Sequence, residues 1–406
     1  MSADNNYQTE QLMANAIRFL SVDAIEKSKS GHPGMPLGMA DVATVLFSKF
    51  IKLNPQEPRW FDRDRFVLSA GHGSMLLYSL LYLMGYEDIS IEDIKNFRQL
   101  GAKTAGHPEY GHLSGIDMTT GPLGQGITSA VGMALAERML AAKYGEDVCN
   151  HYTYVIAGDG CLMEGISEEA ISVAGHLGLK KLIVLWDNNN ITIDGNVTAS
   201  NSTDQIKRFE AVGWNTISID GHDFAEIEKA IATAQKSTRP TLIACKTKIG
   251  FGAPTKAGTS KCHGSPLGAE ETEAIRKALG WNYAPFDVPA DVLNAWRTAG
   301  QKSADECSAW AKRAQAKGAE FADVIAGKLP QNWDDELNNL KKKAIAEQTK
   351  VATRKASQMC LEAIVPHIPQ IVGGSADLAA SNLTLTPSSK TVTAQDYNGN
   401  NIMYGI

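Results

Sequence analysis

Two short apolar runs frame this chain. One reads Tyr152-Thr-Tyr-Val-Ile-Ala-Gly-Asp-Gly160, the other Leu182-Ile-Val-Leu-Trp-Asp-Asn-Asn-Asn-Ile-Thr-Ile193. Both are rich in β-branched and aromatic residues and stop at polar ones, which predicts strands buried on both faces of a parallel sheet. Between them, Ser167 to His176 carries small and apolar residues at helical spacing, and Gly178 is a stop signal. The unit is strand, crossover helix, strand. The alternation continues on either side. Amphipathic positions predict helices over Glu10–Ser28, about Gly38–Phe50, from Gly73 through Tyr82, Ile127–Tyr144 and Asp223–Ala234, and strands over Phe66–Ser69, Trp214–Ile219 and Thr241–Lys246. That order predicts an α/β fold, a doubly wound parallel sheet with helices on both faces.

The pattern then changes. From Asp291 to about Ala326 it is helical, with Trp296, Trp310 and Phe321 on the apolar side, until Gly327-Lys-Leu-Pro-Gln-Asn332 breaks it. A charged stretch from Asp334 to Lys343 follows, then a helix over Thr353–Ala363 and a strand at Ile371-Val372. The expected division is a first domain over 1–326, a linker over 327–349, and the start of a second α/β domain over 350–406 that is too short to be complete.

In open α/β sheets ligands bind beyond the carboxyl ends of the strands. Asp159 and the Asn188–Asn190 run fall there. A carboxylate and amide oxygens beside glycines suit a hard divalent cation carrying a phosphorylated ligand. The plainer alternative is two tight turns, and an isolated Gly-Asp-Gly favours it. The long 249–268 loop, a binding loop or equally a flexible, solvated one, carries His263, and three further histidines sit in Gly- or Pro-built loops, His32, His72 and His107. Any one of them reads as structural; together they point to function, because a rigid scaffold presents functional groups on loops. Thr119-Thr-Gly-Pro-Leu-Gly-Gln-Gly126 feeds a helix N-terminus and can cradle phosphate. Its spacing matches neither the dinucleotide fingerprint nor a P-loop, and close packing is the alternative.

Composition narrows the classes. The chain has 406 residues, 43% hydrophobic and 21% charged, the balance of an ordinary globular protein. A net charge of −6 gives no support for a nucleic-acid or membrane surface. No apolar run is long enough to span a bilayer. The first residues lack a basic segment followed by an apolar core, so no signal peptide is expected. Six scattered cysteines without a CxxC pair read as reduced thiols in a cytoplasmic protein.

Taken together, the motifs carry a family resemblance. Gly158-Asp159-Gly160 followed by Asn188-Asn189 resembles the thiamine diphosphate-binding motif. Ser30-Gly31-His32-Pro33-Gly34, Leu68-Ser69-Ala70-Gly71-His72, Gly106-His107-Pro108-Glu109, the Thr120–Gly126 turn, His263-Gly264-Ser265-Pro266, Ala352-Thr353-Arg354-Lys355 and Gly374-Ser375-Ala376-Asp377-Leu378 narrow the likeness to transketolases. The resemblance implies roles. Asp159, Asn189 and the Ile191 carbonyl would hold Mg²⁺, with Ca²⁺ or Mn²⁺ as substitutes. Gly160, Asn189, His72, His263 and the Gly121-Pro122-Leu123 turn would contact thiamine diphosphate, and Asp377 of a second copy would complete the pocket in a homodimer. His32, His107 and His263 would line a substrate channel as hydroxyl-binding and proton-shuttling groups. Arg354 and Ser381 would bind the phosphate of sugar-phosphate substrates. Glu164 would lie at the dimer interface; its other reading is a helix N-terminal acid.

The implied reaction moves a two-carbon ketol unit from a ketose phosphate to an aldose phosphate, in the pentose phosphate pathway. The family pattern continues past Gly405-Ile406 with Arg-Glu-His, whose glutamate engages the aminopyrimidine. The chain is therefore expected to be a fragment, inactive alone. A non-catalytic cofactor-binding dimerisation module and a related ketol transferase such as dihydroxyacetone synthase are the alternatives.

Overall fold

A computed structural model describes residues 7–406; residues 1–6, on which much of the signal-peptide reading rests, lie outside them. Contacts divide the described chain into two compact units, residues 7–135 with 151–308, and residues 136–150 with 309–406.

The first unit is built on five parallel strands: β1 (Arg65–Leu68), β2 (Thr153–Gly158), β3 (Leu182–Asn188), β4 (Asn215–Asp220) and β5 (Thr241–Lys246). Their order is β1-β2-β3-β5-β4. β2, β3 and β5 are buried along nearly their whole length, as their continuous apolar runs require. β4, at the sheet edge, is half exposed and correspondingly polar. The helices that concern the site are α1 (Gln8–Ser28), α2 (Gly34–Val45), α3 (Ser74–Met84), α4 (Gln125–Tyr144), α5 (Gly165–His176) and α6 (Phe224–Ala234). The β2–β3 and β4–β5 connections run in opposite directions across the sheet. Right-handed crossovers therefore put α5 and α6 on opposite faces. α6 packs with α2, and α1 packs with α2 and α3. On the other face, Trp214 Nε1 donates to the Ile171 carbonyl of α5 at 2.8 Å. The sheet is thus flanked by helices, as its alternating pattern predicts.

Two local expectations are corrected. α2 begins at Gly34, four residues earlier than the pattern indicates, and takes in Pro36. The N–H groups of a first turn have no intrahelical partner, so a proline there removes nothing. Its last turn, Leu46–Phe50, is a π-helix. In the second unit the strand lies at Gly373–Ser375, not Ile371-Val372, and pairs in parallel with Asn401–Met403. Gly373 N–H donates to the Asn400 carbonyl at 2.9 Å while Val372 stays exposed. That unit also holds the helices Asp335–Ala346 and Thr353–Ile364, packed on each other, and Trp310, whose Nε1 donates to the Val148 carbonyl at 2.9 Å.

One buried charge network ties the helical layer to the sheet end. Arg18 of α1 donates to Asp41 of α2 at 2.6 Å and to the Leu37 carbonyl at 3.0 Å. His222, after β4, meets the same Asp41 oxygen through Nδ1 at 2.8 Å and accepts the Lys248 N–H through Nε2 at 3.0 Å. Truncating one member of a buried pair strands the other charge. Arg18→Leu should therefore destabilise the first unit by about 3 kcal/mol. Arg18→Leu combined with Asp41→Leu should cost clearly less than the sum of the single changes, as read from urea midpoints in a double-mutant cycle.

Candidate functional site

The parallel register sets Gly158 at the end of β2 opposite Asp187 in β3. Asp159 follows as the first residue of a one-turn helix, Asp159–Met163. Trp186 Nε1 donates to its Oδ1 at 3.0 Å and Asn190 N–H to its Oδ2 at 3.2 Å. Asn190 adopts a positive φ of 63° to make that approach. Next to it, Asn189 Nδ2 donates to Asp187 Oδ2 at 2.8 Å, and Asn189 Oδ1 accepts the Ile191 N–H at 2.9 Å. The Thr247 hydroxyl, just past β5, holds the other oxygen of Asp187. Burial pushes the Asp159 carboxyl up to about 6. It pushes Asp187 up to about 7, with the neighbouring Asp159 charge adding to the effect. Two carboxylates and an amide oxygen at adjacent strand ends form a site that a bound cation would stabilise in its ionised form.

These groups open onto a cavity of about 300 Å³. His32, His72, His263, Gly121, Leu123, Gly160, Asn189 and Ile191 line it together with Asp159. His107 sits beside it, its ring centroid 6.5 Å from that of His32 and its side chain against Gly121. Pro122 is exposed. The backbone comes close here: a Cβ on Gly71 would lie 2.6 Å from Thr120 Oγ1 and 2.8 Å from Gly121 N, so only glycine lets the loop after β1 meet the turn before α4.

The histidines form one cluster. Ring centroids of His32 and His72 are 5.2 Å apart, of His32 and His263 5.9 Å, and of His72 and His263 5.1 Å in a stacked pair. Burial, with the mutual repulsion of their charged forms, lowers His72 to about 3. Burial and the adjacent Arg98 lower His32 to about 4. Burial also lowers His107 and His263. All four are neutral at pH 7, so each offers one donor and one acceptor nitrogen. His263 Nδ1 is buried with no protein partner.

The remaining sequence-derived residues lie in the second unit or at the surface. Arg354 Nη1 donates to the Ser381 carbonyl at 3.4 Å, which brings that pair together, and both are exposed. Asp377 is exposed and takes a positive φ of 57°. Glu164 is exposed at the N-cap of α5 and makes no side-chain capping bond. Sequence reasoning missed Asp187, although it stands in the Trp-Asp-Asn-Asn-Asn run. It also missed Trp186 as a partner of Asp159, the apolar walls Met35, Ile193 and Ile249, and Arg98. Cys161 lines the cavity, but burial pushes its thiol pKa up, away from nucleophilic character.

A family profile described as "Transketolase, thiamine diphosphate binding domain" matches residues 9–330. The chain is 56% identical over 404 residues to a transketolase of Cereibacter sphaeroides, covering 98% of this chain and 61% of that protein. It is 55% identical over 406 residues to transketolase 1 of Vibrio cholerae, covering 97% and 61%. Among solved structures it resembles transketolase from Leishmania mexicana, with a TM-score of 0.91 at 41% identity, covering 98% of this chain and 60% of that one. The Pichia stipitis transketolase in complex with sedoheptulose-7-phosphate gives 0.90 at 41% identity, with the same coverage. The chain thus spans about three-fifths of the length of the relatives it matches.

The neutral histidines make acid sensitivity predictable. Unfolded histidines titrate near 6.5, whereas His32 and His72 titrate near 4 and 3 in the fold. Between those values the unfolded chain binds more protons, so this contribution is complete above pH 6.5 and is lost as pH falls toward 4. The melting temperature should drop between pH 6.5 and 4.5, and His72→Asn should flatten that drop relative to the unmodified chain.

Proposed function

The chain belongs to the transketolase family, and on that premise we propose that its first unit holds the diphosphate end of thiamine diphosphate through a divalent cation, in the service of ketol transfer between sugar phosphates. The observation that carries this reading is the meeting of the Asp159–Asn189 pair and the His32–His72–His263 cluster in one cavity. The donor set fits the group. Asp159 keeps lone pairs free beyond its two hydrogen bonds, Asn189, with its amide oxygen, lines the same cavity, and His263 Nδ1 is a buried polar atom with no partner. Asp159, Asn189 and the Ile191 carbonyl are the proposed ligands of Mg²⁺, with Ca²⁺ or Mn²⁺ as substitutes. Gly160, His72, His263 and the Gly121-Pro122-Leu123 turn are the proposed surroundings of the cofactor.

When bound, thiamine diphosphate supplies a nucleophilic carbon and an electron sink, chemistry that side chains lack. The histidines do the rest. Neutral His32, His107 and His263 each carry one donor and one acceptor nitrogen, which suits the cluster to hydrogen-bonding the hydroxyls of a ketose and relaying their protons. Arg354 and Ser381 are proposed to take the substrate phosphate, and Asp377 to serve the cofactor pocket of a second copy in a homodimer. Glu164 is the proposed interface acid. The proposed domain division stays at 1–326, 327–349 and 350–406, and the proposed setting is the cytoplasmic pentose phosphate pathway. Among the described residues no helix is long and apolar enough to cross a membrane.

Two measurements test this. Titration calorimetry of thiamine diphosphate in Mg²⁺ should show Asp159→Ala weakening binding by at least about tenfold; unchanged affinity would overturn the cation assignment. The 406-residue chain, assayed with xylulose 5-phosphate and ribose 5-phosphate, should show little or no transfer, because it spans only about three-fifths of the length of its relatives. Turnover comparable to that of a full-length relative would overturn that part of the reading.

A further inference from the structure

Arg98 is the nearest fixed positive charge to the histidine cluster, and no sequence motif marks it. Its own backbone is in the left-handed region, with a φ of 60°, and its N–H donates to the Thr104 carbonyl at 2.9 Å. This turn swings the side chain back toward the loop after α1. There Nη1 donates to Ser30 Oγ at 2.8 Å, and Nη2 lies 3.4 Å from His32 Nδ1. The guanidinium is held from its other side by backbone: a Cβ on Gly106 would lie 3.0 Å from Arg98 Nε and 3.2 Å from Nη2. Held at Ser30 and lying against Gly106, on a backbone that the Thr104 bond fixes, the guanidinium is directed at His32.

A guanidinium can only donate. The nitrogen of His32 that faces it must therefore accept, and the single proton of the neutral ring must sit on Nε2. That atom faces the other way. A Cβ on Gly264 would lie 3.2 Å from it, so the 249–268 loop passes close by, and among the described residues no hydrogen bond reaches it. We propose that Arg98 is a positioning residue that locks His32 in its Nε2–H tautomer, so that His32 presents a hydrogen-bond donor, and not a base, to the oxygen of a ligand in the cavity. The inference rests on the functional reading above and deepens it. Of the three histidines proposed to handle sugar hydroxyls, His32 is assigned the polarising, donor role, and proton acceptance is left to His107 and His263, which among the described residues face no fixed donor at hydrogen-bond distance. The charged groups around His32 agree in sign. Arg98, His107 and His263 all oppose a second proton on the ring, and no carboxylate is within hydrogen-bond reach of it among the described residues.

Nuclear magnetic resonance on the full chain labelled with ¹⁵N-histidine tests this directly, with the His32 signals assigned by a His32→Gln variant. The unmodified chain at pH 7 should show His32 protonated at Nε2 and bare at Nδ1. Arg98→Leu should give a mixture of tautomers and move the His32 titration up toward its ordinary value near 6.5. Arg98→Lys retains a donor and should restore the single tautomer. Should Arg98→Leu fail to fold, Gly106→Ala displaces the guanidinium by a different route and should give the same mixture. An Nδ1–H tautomer in the unmodified chain would overturn the proposal, as would an unchanged tautomer and midpoint in the displaced or truncated variants. Calorimetric binding of thiamine diphosphate with Mg²⁺ to the unmodified chain separates the two levels: its failure counts against the functional reading, whereas the ring tautomer is read without any ligand.

Discussion

The register of β2 against β3 is the constraint on which the site depends. With Gly158 opposite Asp187, Asp159 and Asn189 emerge side by side from neighbouring strands. A slip of one residue would turn each inward-facing side chain to the other face of the sheet and carry the two ligand candidates apart. The register is pinned at its end by side-chain bonds as well as by the ladder. Trp186 and Asn190 both reach back to the Asp159 carboxylate, and Thr247 and Asn189 both hold Asp187. These bonds join the ends of three neighbouring strands, β2, β3 and β5, at the rim of the sheet.

Electrostatically the cavity is divided. One wall carries carboxyl groups whose pKa burial raises; the other carries imidazoles kept neutral by burial, with Arg98 adding to the effect at His32. Each wall is costly for the protein alone and suits the ligand we propose for it, one with a metal-bound anionic end and an uncharged, hydroxylated end. This is preorganisation: the groups are desolvated and oriented in advance, and the ligand supplies the compensation.

Much of this was legible in the sequence. The buried strands announced themselves as apolar runs. Asp159 and the loop histidines stood out because glycines and prolines flank them, and Asn189 because it lies in an asparagine run at the end of an apolar strand. What stayed hidden depends on contacts between distant segments. Arg98 sits in an ordinary polar stretch, and only the fold brings it to His32. Trp186 reads as a core residue, and its indole N–H found a role only once the register was known. The early start of α2 was hidden because Pro36 looks like a breaker yet is harmless in a first turn. The misplaced strand at Ile371-Val372 shows the converse: two β-branched residues in a row indicate a strand, but here the ladder runs through the glycines that follow.

The proximity of His32 to His263 has a consequence for how the protein is made. These rings lie 5.9 Å apart, yet one belongs to the first helical loop and the other follows the last strand of the sheet. Contacts so distant along the chain form slowly, since the intervening loop must be closed before they reward it. While the chain is still being synthesised, His32, His72 and Asp159 are all available, but the cavity has no far wall until the 249–268 loop has emerged. The cavity is therefore a late product of folding, and a nascent chain has no enclosed pocket in which a ligand could stabilise its earlier half.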